Sequence, residues 1–315
     1  MNKKKIKLQG NVTLNQGNNF NFFVIFFDNF LMELKIQIKN FKFFFLYFFT
    51  KKFFFLKKNN YLKNIFDDEK IFILGNGPAI KNYDLSKLDK KISITVNRFY
   101  KNPKYQSFKS NIHIFIDDKL ANGTWPTTYI DSILEINPDC KIILNADWYY
   151  SEIFTKYRSE KNIFWIKLNL ISSFFDNFKT DLTKIVSMGG GVVECAISIS
   201  IFLGSKNLNI LGVEGNGISR LMCNQDSHFD GKDGDYDNHN SLMFANDMIS
   251  SARSIRQWHR ISHLLDKRNI IDGIDLDIEE PVTINNVVRL IKTIKDDFGS
   301  NFMITMAPVQ SSMES

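Results

Sequence analysis

The chain has 315 residues, enough for two domains or one large α/β domain, and its 44% hydrophobic and 23% charged content excludes a disordered or collagen-like polymer. The net charge of +6 is local: residues 1–70 hold 13 lysines, no arginine and five acids, a net of +8, which leaves the remainder at −2. A basic pI of this origin does not point to nucleic acid as a partner of the folded body.

The same first segment is rich in phenylalanine, with 16 of the 30 between Phe20 and Phe66. Two greasy stretches, 20–34 and 41–56, are interrupted by Asp28, Asn29 and Glu33 and by Lys51 and Lys52. Neither supplies the roughly 20 apolar residues of a spanning helix. A signal peptide fits poorly, because the apolar region is broken and no small-residue cleavage site follows. Three readings stay open: a membrane-surface anchor with lysines over anionic lipid, a signal anchor, or low-complexity sequence with no specific role. The expected location is cytoplasmic or membrane-associated. Residues 1–69 are read as this leader, 70–269 as the main domain and 270–315 as a separate tail segment.

From residue 70 onward, apolar runs of strand length recur at 71–74, 92–96, 112–116, 141–144, 163–166 and 208–213, and an apolar helix is expected over 192–203. This alternation predicts an α/β fold, a Rossmann-like, doubly wound, mostly parallel sheet with helices on both faces. Ligands of such sheets sit at the carboxyl ends of the strands. The first strand ends in Gly75-Asn76-Gly77-Pro78, either a tight turn or a loop whose backbone approaches a phosphate. The second ends in Val96-Asn97-Arg98-Phe99-Tyr100, where Asn97 could hydrogen-bond a base or a sugar hydroxyl. Gly189, Gly190 and Gly191 precede the apolar helix and would expose amide donors to an anion. Glu214 stands at the end of the 208–213 strand, where a carboxylate can bind ribose. The cysteines, Cys140, Cys195 and Cys223, lack CxxC or CxxxC spacing and read as buried thiols of a reducing compartment.

Taken in order, ILGNGPAIKNYDLSKL, VNRFY, the glycine-led helix and NLNILGVEG resemble the bacterial sialyltransferases of glycosyltransferase family 42 and the related MptE-like proteins. The resemblance covers about residues 70–270. It implies a domain that binds a nucleotide-activated donor, typically a CMP-sugar, as substrate with no further cofactor, and a glycan acceptor. It assigns Asn76, Asn97 and the 189–191 turn to the nucleotide and phosphate, and Glu214 to the position of a family aspartate. Two positions depart from the family: Asn216 replaces a tyrosine that stabilises the leaving phosphate, and Asp117 replaces an asparagine.

The loop Asp226-Ser227-His228-Phe229-Asp230, running on to Asp237-Asn238-His239-Asn240, precedes a helix expected near 241–266. The resemblance implies that a histidine of this loop is the general base on the acceptor hydroxyl, and an imidazole titrates near working pH. His228 and His239 both fit, with His239 slightly preferred. A calcium loop over Asp233, Asp235 and Asp237 fails, because Asn238 and Phe244 fall where glycine and glutamate are needed. No metal site is expected.

In the tail, Ile271-Asp272-Gly273-Ile274-Asp275-Leu276-Asp277-Ile278-Glu279 places Asp275, Asp277 and Glu279 on one face of a strand. Carboxylates so close raise the proton affinity of at least one, as a general acid requires. This segment, with an expected helix over 283–298 and strand over 302–309, resembles glycoside hydrolase family 18, the chitinases and endo-β-N-acetylglucosaminidases. The resemblance implies that Glu279 protonates the glycosidic oxygen while Asp277 orients the substrate acetamido group as internal nucleophile. It covers about 45 residues, part of a (β/α)₈ barrel that needs about 250, so the segment is expected to be an inactive fragment. The sequence thus favours nucleotide-sugar transfer, with a family 18 hydrolase or a non-catalytic, membrane-associated accessory protein as alternatives.

Overall fold

A computed structural model describes residues 6–8, 12–14, 19–171, 179–188, 191–213, 226, 228–231, 261, 273–276, 292 and 303–306. A short antiparallel pair, β1 (Ile6–Leu8) and β2 (Val12–Leu14), precedes one long helix, α1 (Asn19–Phe49). Where two broken apolar stretches were expected, α1 runs through the first and into the second as far as Phe49. Its Glu33 is buried and accepts a hydrogen bond from Gln37 Nε2 at 2.5 Å, so it does not interrupt the helix. The helix stops where Lys51 turns left-handed (φ 56°) and the Lys52 amide reaches back to the Leu46 carbonyl at 3.3 Å. Among the described residues, no helix is long and apolar enough to cross a membrane.

Seven strands then build the body: β3 (Lys70–Leu74), β4 (Ile92–Val96), β5 (Ile112–Phe115), β6 (Lys141–Asn145), β7 (Ile163–Leu170), β8 (Ile185–Met188) and β9 (Asn207–Leu211). They pair in the order β8-β7-β6-β5-β4-β3-β9, every neighbour parallel, so the expected α/β fold is present. Isoleucine dominates these strands because β-branched side chains suit a pleated surface buried on both sides.

Alternate residues feed two cores. On one face Leu74, Phe115, Ile142, Leu144 and Trp165 meet the connections from β3 to β7, including α2 (Tyr105–Phe108) and α3 (Thr128–Ile136). On the other, Ile73, Ile94, Ile114, Ile143 and Ile166 meet α4 (Val192–Phe202) and Ile261. A single handedness of crossover explains the division. Connections that step from β3 to β7 lie on one face, and the return over α4 to β9 must take the other.

Residues 53–69, expected in the leader, pack into this unit. Leu56 and Leu62 are fully buried, on the 3₁₀ segment Phe54–Leu62. Asn59 Nδ2 donates to the carbonyls of Trp165 (2.7 Å) and Leu182 (2.6 Å), and the backbone from Asn64 to Asp68 hydrogen-bonds the end of α4 at Phe202, Leu203 and Gly204.

In the tail, β10 (Gly273–Leu276) and β11 (Met303–Met306) pair in parallel, with Asp275 opposite Thr305. The helices expected over 241–266 and 283–298 lie almost wholly outside the described residues, as do Asp277 and Glu279.

Candidate functional site

Winding reverses at β3. The chain leaves it toward β4, and β9 arrives on its other side. Neighbouring connections therefore diverge to opposite faces beyond the carboxyl ends of the strands, where such sheets usually leave a crevice for a ligand.

The glycines at this point hold the crevice together. Gly75 N donates to Leu211 O at 2.8 Å and Gly77 N to Gly212 O at 2.9 Å, continuing the β3–β9 ladder past its last residues. A Cβ on Gly75 would overlap the Gly212 carbonyl oxygen and Val213 Cγ2, and Gly212 is left-handed at φ 67°. The Gly75-Asn76-Gly77 loop was read as either a tight turn or a loop whose backbone approaches a phosphate. Two of its amides are engaged by β9, and the glycines serve a close approach of two strand ends.

Asn76 and Asn97 follow β3 and β4. Each is only half-buried as a residue, yet its side-chain Oδ1 is buried and has no hydrogen-bond partner among the described residues. Such an oxygen, left without a donor, costs about 1–3 kcal/mol. The Asn76 carbonyl accepts from Phe229 N at 2.8 Å. Asn97 is left-handed (φ 48°), a conformation that asparagine tolerates better than most residues.

Beneath Asn97 lies His113, which the sequence reading passed over. It sits on β5, directly opposite Thr95 of β4, and is fully buried. Its Nε2 is 2.7 Å from the Asn97 carbonyl and its Nδ1 is 2.8 Å from Thr95 Oγ1. A carbonyl can only accept, so Nε2 carries the proton and Nδ1 accepts from the threonine hydroxyl. Burial pulls the imidazole down to about 3, against the Asn97 hydrogen bond, which raises it. A neutral ring thus pins the left-handed backbone of Asn97. The one signal in the sequence was a polar residue amid the apolar run Ile112-His113-Ile114-Phe115.

Residues 228–231 close against the same edge. His228 and Gly231 bridge each other, Phe229 is 5% exposed and packs edge-to-face on Phe99 at 5.7 Å, and Asp230 pairs with Arg98. The fold therefore brings His228 to the segment that holds Asn76 and Asn97. His239 and Glu214 lie outside the described residues.

At the start of α4, Gly191 is the N-cap. Gly189 and Gly190 lie outside the described residues. Glu194, at the third helical position, is 3% exposed, and a Cβ on Gly191 would stand 2.8 Å from its Oε2. The carboxylate folds back on its own helix start in the manner of a capping box.

Asp117, after β5, turns inward to accept from Lys119 N at 3.0 Å, and Asp118 accepts from Trp148 Nε1 at 3.1 Å. Of the tail carboxylates, Asp275 lies on β10. Cys140 and Cys195 are free and buried, and burial pushes the Cys140 thiol up to about 12. No known family, curated protein or solved structure matches the chain.

Proposed function

We propose that the strand-end crevice binds a nucleotide-activated sugar, in the manner of a CMP-sugar, and that the chain transfers that sugar to a glycan acceptor. The supporting observation is the pair of Asn76 and Asn97 oxygens, buried and without a hydrogen-bond partner among the described residues, carried by half-buried residues at the reversal of winding. Both are acceptors, so their complement is a ligand rich in donors. Ribose hydroxyls and the exocyclic amine of cytosine are donors, whereas phosphate is not. The asparagines therefore suit the nucleoside, and the phosphate falls to the 189–191 turn.

In this reading the acceptor hydroxyl attacks the anomeric carbon and its proton passes to His228 or His239. The bond from that carbon to the phosphate oxygen breaks, and the nucleotide leaves with the electron pair. His228 has the stronger structural support, because Phe229 beside it is hydrogen-bonded to Asn76. Titration calorimetry with CMP and CMP-sugars tests the proposal. Saturable binding that weakens about tenfold in Asn97→Gly supports it, and absence of binding by any nucleotide overturns it. Binding without transfer to any acceptor would instead favour the accessory-protein reading.

The hydrolase alternative draws support from the parallel pairing of β10 and β11, the arrangement that a strand–helix–strand piece of a barrel would adopt. Hydrolysis of a chitobiose-type substrate, lost in Glu279→Gln, would establish it over the expectation of an inactive fragment.

A further inference from the structure

Helix α1 turns one face to the sheet and a second, equally greasy face outward. Ile36 and Phe43 are buried, and Asn169 of β7 donates to the Ile36 carbonyl (3.0 Å) and Asn40 Oδ1 (2.9 Å). Away from the sheet, Phe27, Leu31, Leu34, Ile38, Phe41, Phe45 and Phe48 are all exposed, Phe41 at 73%. At about 100° per residue, the exposed apolar side chains fill a sector roughly 140° wide and about 33 Å long. That exceeds the apolar patches that isolated soluble proteins ordinarily show.

Charge decides what covers it. Lys35, Lys39 and Lys42 are exposed and lie together along the border between the outward apolar sector and the sheet-facing one. Lys51 and Lys52 continue the basic margin past the helix end, where Tyr150, 53% exposed, donates its hydroxyl to the Lys52 carbonyl at 2.6 Å. From Phe30 to Lys52 the one carboxylate is Glu33, which is buried.

The 4-3 spacing of the stripe is also that of a coiled-coil seam, so a second copy is the rival occupant. The flanking positions oppose it. Lys35 and Lys42 share one flank with Asp28 and Phe49, and Phe30, Gln37 and Phe44 hold the other, so a parallel pair would set lysine against uncharged residues and an antiparallel pair would have Asp28 as its one acid for the two lysines. An anionic bilayer matches both halves of the surface, with aromatic rings entering the acyl boundary and lysines reaching the headgroups.

We infer that the outer face of α1 docks the protein on an anionic membrane surface, with the helix lying in the interface and not across it. Co-sedimentation of the full chain with vesicles of phosphatidylcholine alone, or mixed with phosphatidylserine, tests this. Binding is expected to be at least tenfold stronger on the anionic vesicles and to weaken as salt rises. A Lys35→Gln, Lys39→Gln, Lys42→Gln variant should lose that preference, and Phe41→Ser, Phe45→Ser, Phe48→Ser should lose binding to both. These side chains are exposed, so an unchanged circular-dichroism spectrum is expected for both variants. Equal binding of the unmodified chain to both vesicle types, or none to either, overturns the inference. So does sedimentation of the free chain as a dimer that the phenylalanine variant converts to monomer.

Discussion

Two regions of the molecule bury asparagine oxygens without partners, and they do so to opposite ends. In the 53–69 segment, Asn59 is 1% exposed and sealed, and its amide nitrogen ties the 3₁₀ segment to Trp165 and Leu182 while its oxygen goes unmatched. At the strand ends, Asn76 and Asn97 hide only the oxygen atom, and the residue itself remains half-open. A sealed orphan is a residual cost of an otherwise useful tether. An orphan on a half-open residue is one that a turn of the side chain can present to a donor. What separates the two regions is how open the residue is, not the presence of an unsatisfied atom.

The harshest test lies where the crevice is held shut. Gly75→Ala drives a methyl group into the β9 backbone and should cost about 4 kcal/mol or more, measured as a fall in the urea midpoint. Next comes the tether. Asn59→Ala leaves two buried carbonyls without donors and should cost about 3 kcal/mol in the same assay. If it cost no more than a surface change, the 53–69 segment would not be structural.

A smaller effect runs through His113. Its folded pKa of about 3 lies below the unfolded value of about 6.5, so the unfolded chain takes up the proton first as pH falls. Its contribution is complete above about pH 6.5 and declines by about 1 kcal/mol per unit on the way down toward pH 3. Urea titrations at pH 7 and pH 5 should show that decline in the unmodified chain and a flatter response in His113→Gln. The smallest stability effect is expected at the mouth. Asn97→Gly keeps the left-handed backbone and removes the unpartnered oxygen, so stability should not fall and should rise by about 1 kcal/mol, while nucleotide affinity drops about tenfold on the proposed reading. A stability loss like that of Asn59→Ala would erase the distinction between the two regions.

The strands were legible wherever an isoleucine-led, mainly apolar run reached four or five residues, as at 71–74 and 112–116. β8 escaped notice because only Ile185 and Val186 stand between Lys184 and Ser187, too few for a pattern. Asp28, Asn29 and Glu33 were read as breaks in an apolar stretch, yet Glu33 faces inward and pairs along the helix, a matter of orientation that composition does not carry. The boundary drawn at residue 69 followed composition too, whereas Leu56, Asn59 and Leu62 belong to the sheet's own packing. A chain begun at residue 70 would lose them.

Asn76 and Asn97 were identifiable from their places at strand ends. Their lack of partners was not, because it depends on which groups arrive from Phe229 and His113, far away in sequence. His113 itself offered one unexpected polar letter, and its task becomes visible only when β4 and β5 are laid side by side.

The pairing of β3 with β9 also sets an order of assembly. The two strands lie about 140 residues apart in the chain, so β3 keeps a bare edge throughout synthesis of β4 to β8. Until α4 has formed and Leu211 has emerged from the ribosome, Gly75 has no strand to lean on. The crevice is therefore completed last, and a nascent chain halted near residue 190 would display β3 as an open template for any passing extended segment.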